Sequence, residues 1–92
     1  MVENQKIWRI EVHRQVEKSL KRLPGDVVSR IWTKIKRLQT DPRPKGCVKL
    51  DGYETLYRIR VGDFRVIYAI EDELLIVLVL EIGLRGSVYR KY

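Results

Sequence analysis

Apolar and polar residues alternate near the start of the chain. Within residues 7–13, Trp8, Ile10 and Val12 share one side and charged residues occupy the other. An alternation with period two is typical of a half-buried β-strand. The sequence therefore predicts a first strand over residues 7–13, with His13 as a solvated residue at its end.

The apolar spacing then changes to intervals of three and four residues, which predicts two helices. The first apolar stripe consists of Val16, Leu20 and Leu23. The second and longer stripe consists of Val27, Val28, Ile31, Trp32, Ile35 and Leu38. The pair Pro24-Gly25 separates the helices, and we expect Asp26 to cap the second one. Two helices joined in this way form an antiparallel hairpin that packs on a sheet.

Three strand-like runs fill the second half of the chain, over residues 55–61, 64–70 and 74–82. Gly62-Asp63 connects the first two runs, with glycine placed first as a type II′ hairpin turn requires. The sequence thus predicts a small α+β fold of order β-α-α-β-β-β. In this fold a mainly antiparallel four-stranded sheet carries both helices on one face. We expect residues 1–92 to form a single domain.

The two-residue turn also predicts how the hairpin strands pair, with Arg60 directly opposite Arg65. One face of the hairpin is then apolar and aromatic, and consists of Tyr57, Ile59, Val61, Phe64, Val66 and Tyr68. The other face carries Arg58, Arg60 and Arg65. Like charges directly opposite each other destabilise a sheet. We therefore interpret this face as an anion site, unless an acidic residue elsewhere neutralises the pair or the register slips by one residue.

The charge of the chain favours a polyanionic partner. The sequence has 19 Lys and Arg residues against 12 Asp and Glu, a formal net charge of +7. The outer face of the predicted second helix carries Arg30, Lys34 and Arg37 at helical spacing. This basic stripe is either a surface for a polyanion or a plain solvated face.

Composition also excludes several classes of site. The one histidine, His13, excludes a paired-histidine nuclease, and the one cysteine, Cys47, excludes an internal disulfide. The acidic run at residues 71–73 is interpreted as a solubilising turn, and we expect no metal and no cofactor. The longest apolar run, residues 74–80, is too short to span a membrane, which takes about 20 residues. With no targeting segment in view, we expect a cytoplasmic protein without a membrane partner.

The end of the chain supplies a candidate for general base catalysis. Arg85 follows the last predicted strand and Tyr89 comes four residues later. Nearby cations favour the phenolate form of a tyrosine. Such a group can take the proton of an RNA 2′-hydroxyl while arginines stabilise the charge that develops on phosphorus. An ordinary surface tyrosine is the simpler interpretation of the spacing alone.

These motifs together resemble the RelE/ParE superfamily of toxins from toxin–antitoxin modules. The resemblance covers nearly the whole chain, including the two predicted helices. Its most specific part is the hairpin of residues 57–68, and a second part is the ending Ile82-Gly83-Leu84-Arg85 with Val88-Tyr89. The pairs Lys49-Leu50 and Leu23-Pro24 also match the family pattern.

The resemblance to the RelE branch implies an endonuclease that enters the ribosomal A site, cuts translated mRNA and so inhibits translation. Arg65 matches the phosphate-stabilising arginine, Arg85 the arginine after the last strand, and Tyr89 the general base. Arg58 and Arg60 match basic substrate-binding residues that are often lysine. The implied reaction needs no metal and leaves a 2′,3′-cyclic phosphate, or a 3′-phosphate, and a 5′-hydroxyl. Leu84 replaces a common histidine, and the group that protonates the leaving oxygen stays open.

The same resemblance implies partners for the protein and leaves two alternative functions open. The partners would be a cognate antitoxin and the ribosome with its mRNA, while operator DNA would be bound only through the antitoxin complex. The stripe of Arg30, Lys34 and Arg37 would contact ribosomal RNA. One alternative is a ParE-like toxin that inhibits DNA gyrase and cleaves nothing. Another is an inactive module whose arginines only hold an antitoxin carboxylate.

Overall fold

The computed structural model describes residues 6–84, which form two helices and one five-stranded sheet. In chain order the elements are β1 (Arg9–Val12), α1 (Arg14–Lys21), α2 (Gly25–Arg37), β2 (Val48–Lys49), β3 (Leu56–Val61), β4 (Phe64–Glu71) and β5 (Ile76–Leu84). The sheet order is β1-β5-β4-β3-β2. β1 runs parallel to β5, and the other neighbours are antiparallel.

The predicted α+β class, with a mainly antiparallel sheet, is confirmed, but the sheet has one strand more than expected. The additional strand is β2, in which Val48 pairs with Arg58 and Lys49 pairs with Tyr57. Two residues are too few to show an alternating pattern, so this strand is visible only through its pairing with β3.

The two helices begin in different ways. His13, at the end of β1, is the N-cap of α1, and its Nδ1 accepts a hydrogen bond from the Gln15 amide at 3.1 Å. The exposed position predicted for His13 is confirmed, and the cap is an added role. The predicted Asp26 cap of α2 is wrong, because the helix already begins at Gly25 behind Pro24. Asp26 instead lies in the first turn, where its negative charge favours the helix dipole.

The main core lies between the helices and one face of the sheet. α1 packs on β5 and α2 on β3. The buried residues of this core are Val16, Leu20, Ile31, Ile35, Leu38, Tyr57, Ile59, Val61, Val66, Tyr68, Ile70, Val77, Val79 and Ile82. Trp8, Ile10 and Val12 pack against it. The predicted apolar faces of the first strand, the helices and the hairpin are therefore confirmed.

The opposite face of the sheet holds a second, smaller apolar cluster. Its buried members are Leu50, Leu56, Ile67 and Ala69, and Leu78 and Leu80 pack beside them. Ile67 has no exposed surface although neither helix lies on this side. This face is consequently apolar at one end and carries the hairpin arginines at the other.

A clamp ties the loop after α2 to the sheet. The Arg43 guanidinium binds both carboxylate oxygens of Asp72, at 3.2 and 2.7 Å, and its Nε donates to the Tyr57 hydroxyl at 3.2 Å. Arg43 holds the pKa of Asp72 below its usual value by hydrogen bonding. The buried Tyr68 hydroxyl donates to the Pro42 carbonyl at 2.8 Å, and burial raises the Tyr68 pKa far above its usual value. These bonds hold the loop in place.

The Tyr68→Phe substitution tests the buried part of the clamp. We expect it to lower the free energy of unfolding by about 1–3 kcal/mol, because the buried Pro42 carbonyl loses its hydrogen-bond donor. Urea denaturation followed by circular dichroism measures the change. Tyr57→Phe is the matched control and should cost less, since its hydroxyl accepts from a largely exposed arginine. An equal loss in the two variants would contradict the assignment.

The Asp72→Asn substitution tests the ion pair. A lowered carboxyl pKa stabilises the fold above the unfolded value of about 3.9, and this stabilisation is lost as the pH falls through the folded pKa. We expect the variant to be less stable at neutral pH by at most about 1 kcal/mol, since the pair is exposed. The difference should shrink below about pH 3.9. Glu73→Gln, in the same turn, should leave the pH profile of thermal unfolding unchanged.

Candidate functional site

The hairpin of β3 and β4 has the predicted register. Val61 pairs with Phe64, Arg60 with Arg65 and Arg58 with Ile67. Gly62 has a φ of +59°, and Asp63 has a negative φ. This combination fits a type II′ turn, in which only the first central residue needs a positive φ. The opposed arginines are therefore a real feature of the sheet.

The three hairpin arginines differ in exposure. Arg60 is exposed, Arg58 is half-buried, and Arg65 retains only 7% of its surface. Arg65 Nη1 donates to the Phe64 carbonyl at 3.3 Å, and Arg65 makes no ion pair with a carboxylate of residues 6–84. The expectation of three arginines on an exposed face is thus wrong for Arg65. Its side chain is covered in the folded chain, which the alternation pattern of a single hairpin cannot reveal.

Two rows of side chains cross this face of the sheet. In one row, Arg60 and Arg65 continue to Gly83 of β5. Because Gly83 has no side chain, Arg60 and Arg65 provide the only side chains of that row among residues 6–84. We refer to Arg58, Arg60 and Arg65 together as the arginine face. It combines one buried and one exposed cation at neighbouring positions, which suits a ligand with several anionic oxygens.

The second row brings in a carboxylate that the sequence reasoning missed. Arg58 pairs with Ile67, and Ile67 pairs with Glu81 of β5. One carboxylate oxygen of Glu81 is out of contact with solvent. Diagonal neighbours on adjacent strands lie about 7–8 Å apart, so Glu81 is within reach of long side chains such as Arg65. Only the alignment of β5 on β4 reveals this position, and no local motif marks it.

The predicted basic stripe of α2 lies next to the arginine face. An open cleft of about 650 Å³ is lined on one side by Arg30, Lys34 and Arg37 and on the other by Arg60 and the hairpin turn. All three helix residues are exposed. The structure therefore brings the two sets of basic residues predicted from sequence into one surface, with Arg60 belonging to both.

The remaining predicted site residues, Arg85 and Tyr89, lie outside the described residues. The described part of β5 ends at Leu84, which pairs with Phe64 beside the hairpin turn. Within residues 6–84, no three His, Cys, Asp or Glu side chains come together as a metal site would require. Neither helix of that part of the chain is long and apolar enough to cross a membrane.

The arrangement can bind and polarise a phosphate group. A guanidinium held in a site of low dielectric interacts more strongly with an anion than one in water. Arg65 has that environment, while Arg60 faces the solvent from which a ligand would arrive. The described part of the site therefore offers cations to an anion, with the Glu81 carboxylate in the neighbouring row.

Comparison with known proteins places this fold among small toxins of the toxin–antitoxin kind. Residues 10–89 match the family described as the ParE toxin of the type II toxin–antitoxin system. A Methanocaldococcus jannaschii protein named as the toxin RelE1 is 33% identical over 86 residues, which cover 90% of this chain and 96% of that protein. The chain belongs to the RelE/ParE superfamily and is a type II toxin.

Solved structures extend the comparison. A chain of the archaeal RelE–RelB complex from Pyrococcus horikoshii is 32% identical, with a TM-score of 0.79 over 88% of this chain and 98% of that one. The isolated E. coli RelE toxin is 24% identical, with a TM-score of 0.75 over 91% of this chain and 93% of that one. The second likeness concerns the fold alone.

The repulsion between the paired Arg60 and Arg65 should make the free energy of unfolding depend on the salt concentration. Arg60→Gln removes one of two like charges that face each other across the strands, so we expect it to stabilise the fold by about 0.2–1 kcal/mol at low salt. The gain should fade towards 1 M salt, where the Debye length is about 3 Å. Thermal unfolding at several salt concentrations measures it. Lys49→Gln makes the same change in net charge at an exposed strand position, and an equal gain there would show that the effect is not specific to the pair.

Proposed function

We propose that the chain is an endoribonuclease that cleaves mRNA on the ribosome by attack of a 2′-hydroxyl. The observation that carries this proposal is the buried Arg65 beside the exposed Arg60. By the resemblance to RelE toxins, Arg65 matches their phosphate-stabilising arginine and Arg60 matches one of their basic substrate-binding residues. Two relatives bearing the RelE name, at 33% and 32% identity, support the same branch.

In the proposed reaction, Tyr89 is the general base, and the arginines bind the RNA backbone and stabilise negative charge. The phenolate of Tyr89 takes the proton of the 2′-hydroxyl, and the 2′-oxygen forms a bond to phosphorus. The bond between phosphorus and the 5′-oxygen breaks, and that oxygen takes a proton from solvent. Arg65 and Arg85 stabilise the negative charge on the phosphoryl oxygens, and Arg58 and Arg60 hold the flanking backbone. The products are a 2′,3′-cyclic phosphate and a 5′-hydroxyl.

Regulation is proposed to follow the complexes of similar toxins. The similar Pyrococcus horikoshii chain comes from a complex of RelE with RelB. By this likeness, a cognate antitoxin would bind the chain by wrapping over its sheet and helices, and operator DNA would be contacted through the antitoxin. The ribosomal A site would be the place of action, with the basic stripe of α2 against ribosomal RNA.

Inhibition of DNA gyrase is the second candidate, favoured by the name of the matching family, ParE toxin. The two candidates differ in what is damaged in the cell. A nuclease of the RelE kind leaves cuts confined to translated messages, whereas a gyrase inhibitor leaves mRNA intact and damages DNA. The chain retains the arginine face, Arg85 and Tyr89 of the nuclease pattern, although Leu84 replaces its common histidine, and this is our reason for preferring the first.

Induced expression with mapping of mRNA 5′ ends tests the proposal. Primer extension on a translated message and on its copy without a start codon should show new ends only in the translated one. Arg65→Gln should lower the single-turnover rate on ribosomes by about 10²–10³-fold, the usual cost of removing one charge-stabilising donor. Tyr89→Phe should abolish cutting, because the phenolic proton acceptor is gone.

The controls for that experiment use the same chain. Arg9→Ala removes an exposed arginine that pairs with Glu11 far from the arginine face in the sheet order, and should cut like the unsubstituted chain. Circular dichroism confirms that Arg65→Gln folds, which is needed since Arg65 is buried. Growth arrest with intact mRNA and damaged DNA would exclude the nuclease and favour the gyrase inhibitor.

A further inference from the structure

The alternation of side chains along β5 is interrupted at one residue. Val79 belongs to the helix-side core, so an unbroken alternation would place Glu81, two residues later, in that core as well. Instead, the register with β4 shifts between Ile67 and Tyr68, and Leu80 becomes an extra residue opposite no residue of β4. This β-bulge turns Glu81 to the face that carries the hairpin arginines. Bulges re-aim side chains in this way and are frequent beside active sites.

The bulge is anchored from outside the sheet. The Leu80 carbonyl accepts a hydrogen bond from Nε2 of Gln15 in α1, at 2.5 Å. The two residues are 65 positions apart in the chain, so the contact exists only in the folded protein. A bulge carbonyl bonded to a packed helix has a defined direction. The orientation of Glu81 is therefore a fixed feature of the fold.

Glu81 is the one carboxylate in the two rows of the arginine face, which are residues 58, 67 and 81 and residues 60, 65 and 83. It is half-buried, and one of its carboxylate oxygens is out of contact with solvent. Its position is diagonal to Arg65 across β4 and β5, where long side chains reach each other. Glu81 therefore acts on Arg65 at short range and in a partly covered site.

The charges on either side of Arg65 act in the same direction. Arg60 on β3 repels Arg65, and Glu81 on β5 attracts it, because β3 and β5 border opposite edges of β4. Both forces draw the guanidinium towards β5. A guanidinium has five donors, and within residues 6–84 the hydrogen bond of Arg65 is the one from Nη1 to the Phe64 carbonyl. Other donors of Arg65 are thus available to a ligand.

We propose that Glu81 is a positioning residue, which holds the covered Arg65 guanidinium on the β5 side with donors left for a phosphate next to Arg60. The Glu81 carboxylate itself repels that phosphate, so it weakens anion binding while it improves the geometry of Arg65. Affinity and turnover therefore respond to this residue in opposite directions. The effect on turnover rests on the proposed nuclease function, whereas the effects on Arg65 and on anion binding do not.

Glu81→Gln removes the charge and keeps the shape of the side chain. Nuclear magnetic resonance of the full chain measures binding of inorganic phosphate and the exchange of the Arg65 Nε proton with water. We expect the variant to bind phosphate about 3–10-fold more tightly and to exchange the Arg65 proton faster. On ribosomes, kcat should fall about 10-fold or more without a rise in KM, since a misplaced charge-stabilising group is costly.

Two further variants separate the charge from its position. Glu71→Gln removes the same charge at the exposed far end of the same face, six residues along β4 from Arg65. It should leave phosphate affinity, Arg65 exchange and cleavage unchanged. Glu81→Asp keeps the charge on a shorter side chain, and its phosphate affinity should stay near that of the unsubstituted chain. Circular dichroism confirms that each variant is folded.

Three results would overturn the positioning role of Glu81. The first is unchanged phosphate affinity and unchanged Arg65 exchange in Glu81→Gln. The second is weaker phosphate binding in that variant, which would assign Glu81 to the fold alone. The third is tighter phosphate binding with unchanged Arg65 exchange, which would make Glu81 a counter-charge that positions nothing.

The cleavage assay distinguishes this proposal from the nuclease itself. If the unsubstituted chain cuts mRNA and Glu81→Gln cuts at the same rate, the positioning role is wrong and the nuclease stands. If the unsubstituted chain cuts nothing while Glu81→Gln binds phosphate more tightly and exchanges the Arg65 proton faster, the nuclease is wrong and the positioning role stands.

Discussion

The site depends on the register of one hairpin. The two-residue turn at Gly62-Asp63 leaves one way to pair β3 with β4, and side chains alternate between the two faces with a period of two. A slip of β3 by one residue would turn Arg58 and Arg60 into the helix-side core and the apolar residues of β3 out of it. The burial of that apolar set stabilises the register, so the packing of the helices maintains the opposed arginines on the other side.

The opposed arginines lower the stability of the fold. Arg65 is almost fully covered and faces another cation, an arrangement that folding alone does not favour. Burial lowers the local dielectric and so strengthens the attraction of Arg65 for an anion. Gly83 pairs with Arg65 in the same row, and Glu81 lies in the next row of the face. The features that cost stability are therefore the ones that suit the phosphate site we propose.

The edges of the sheet explain where the rest of the basic surface lies. β2 is only two residues long, so part of β3 stays unpaired and α2 forms the far wall of a groove along it. The loop between α2 and β2 is held to the sheet by Arg43 with Asp72 and by Tyr68 with the Pro42 carbonyl. The same loop carries Lys45, which lines a cleft together with Lys34 and Arg37. The basic stripe of α2 thereby forms one wall of a cleft whose other wall is Arg60 and the hairpin turn.

The sequence by itself determined the elements and the hairpin, because these depend on short-range periodicity and on one turn. It also predicted the pairing of Arg60 with Arg65, the apolar stripes of both helices and the membership in the RelE/ParE superfamily. The helix start at Gly25, the strand β2 and the position of Glu81 were missed. The strand β2 and the position of Glu81 depend on pairing between distant residues, which leaves no local pattern, whereas the start of α2 is a choice between adjacent residues. The burial of Arg65 and the meeting of Arg60 with the α2 stripe were decided only by the tertiary structure, since exposure and proximity arise when separate elements pack together.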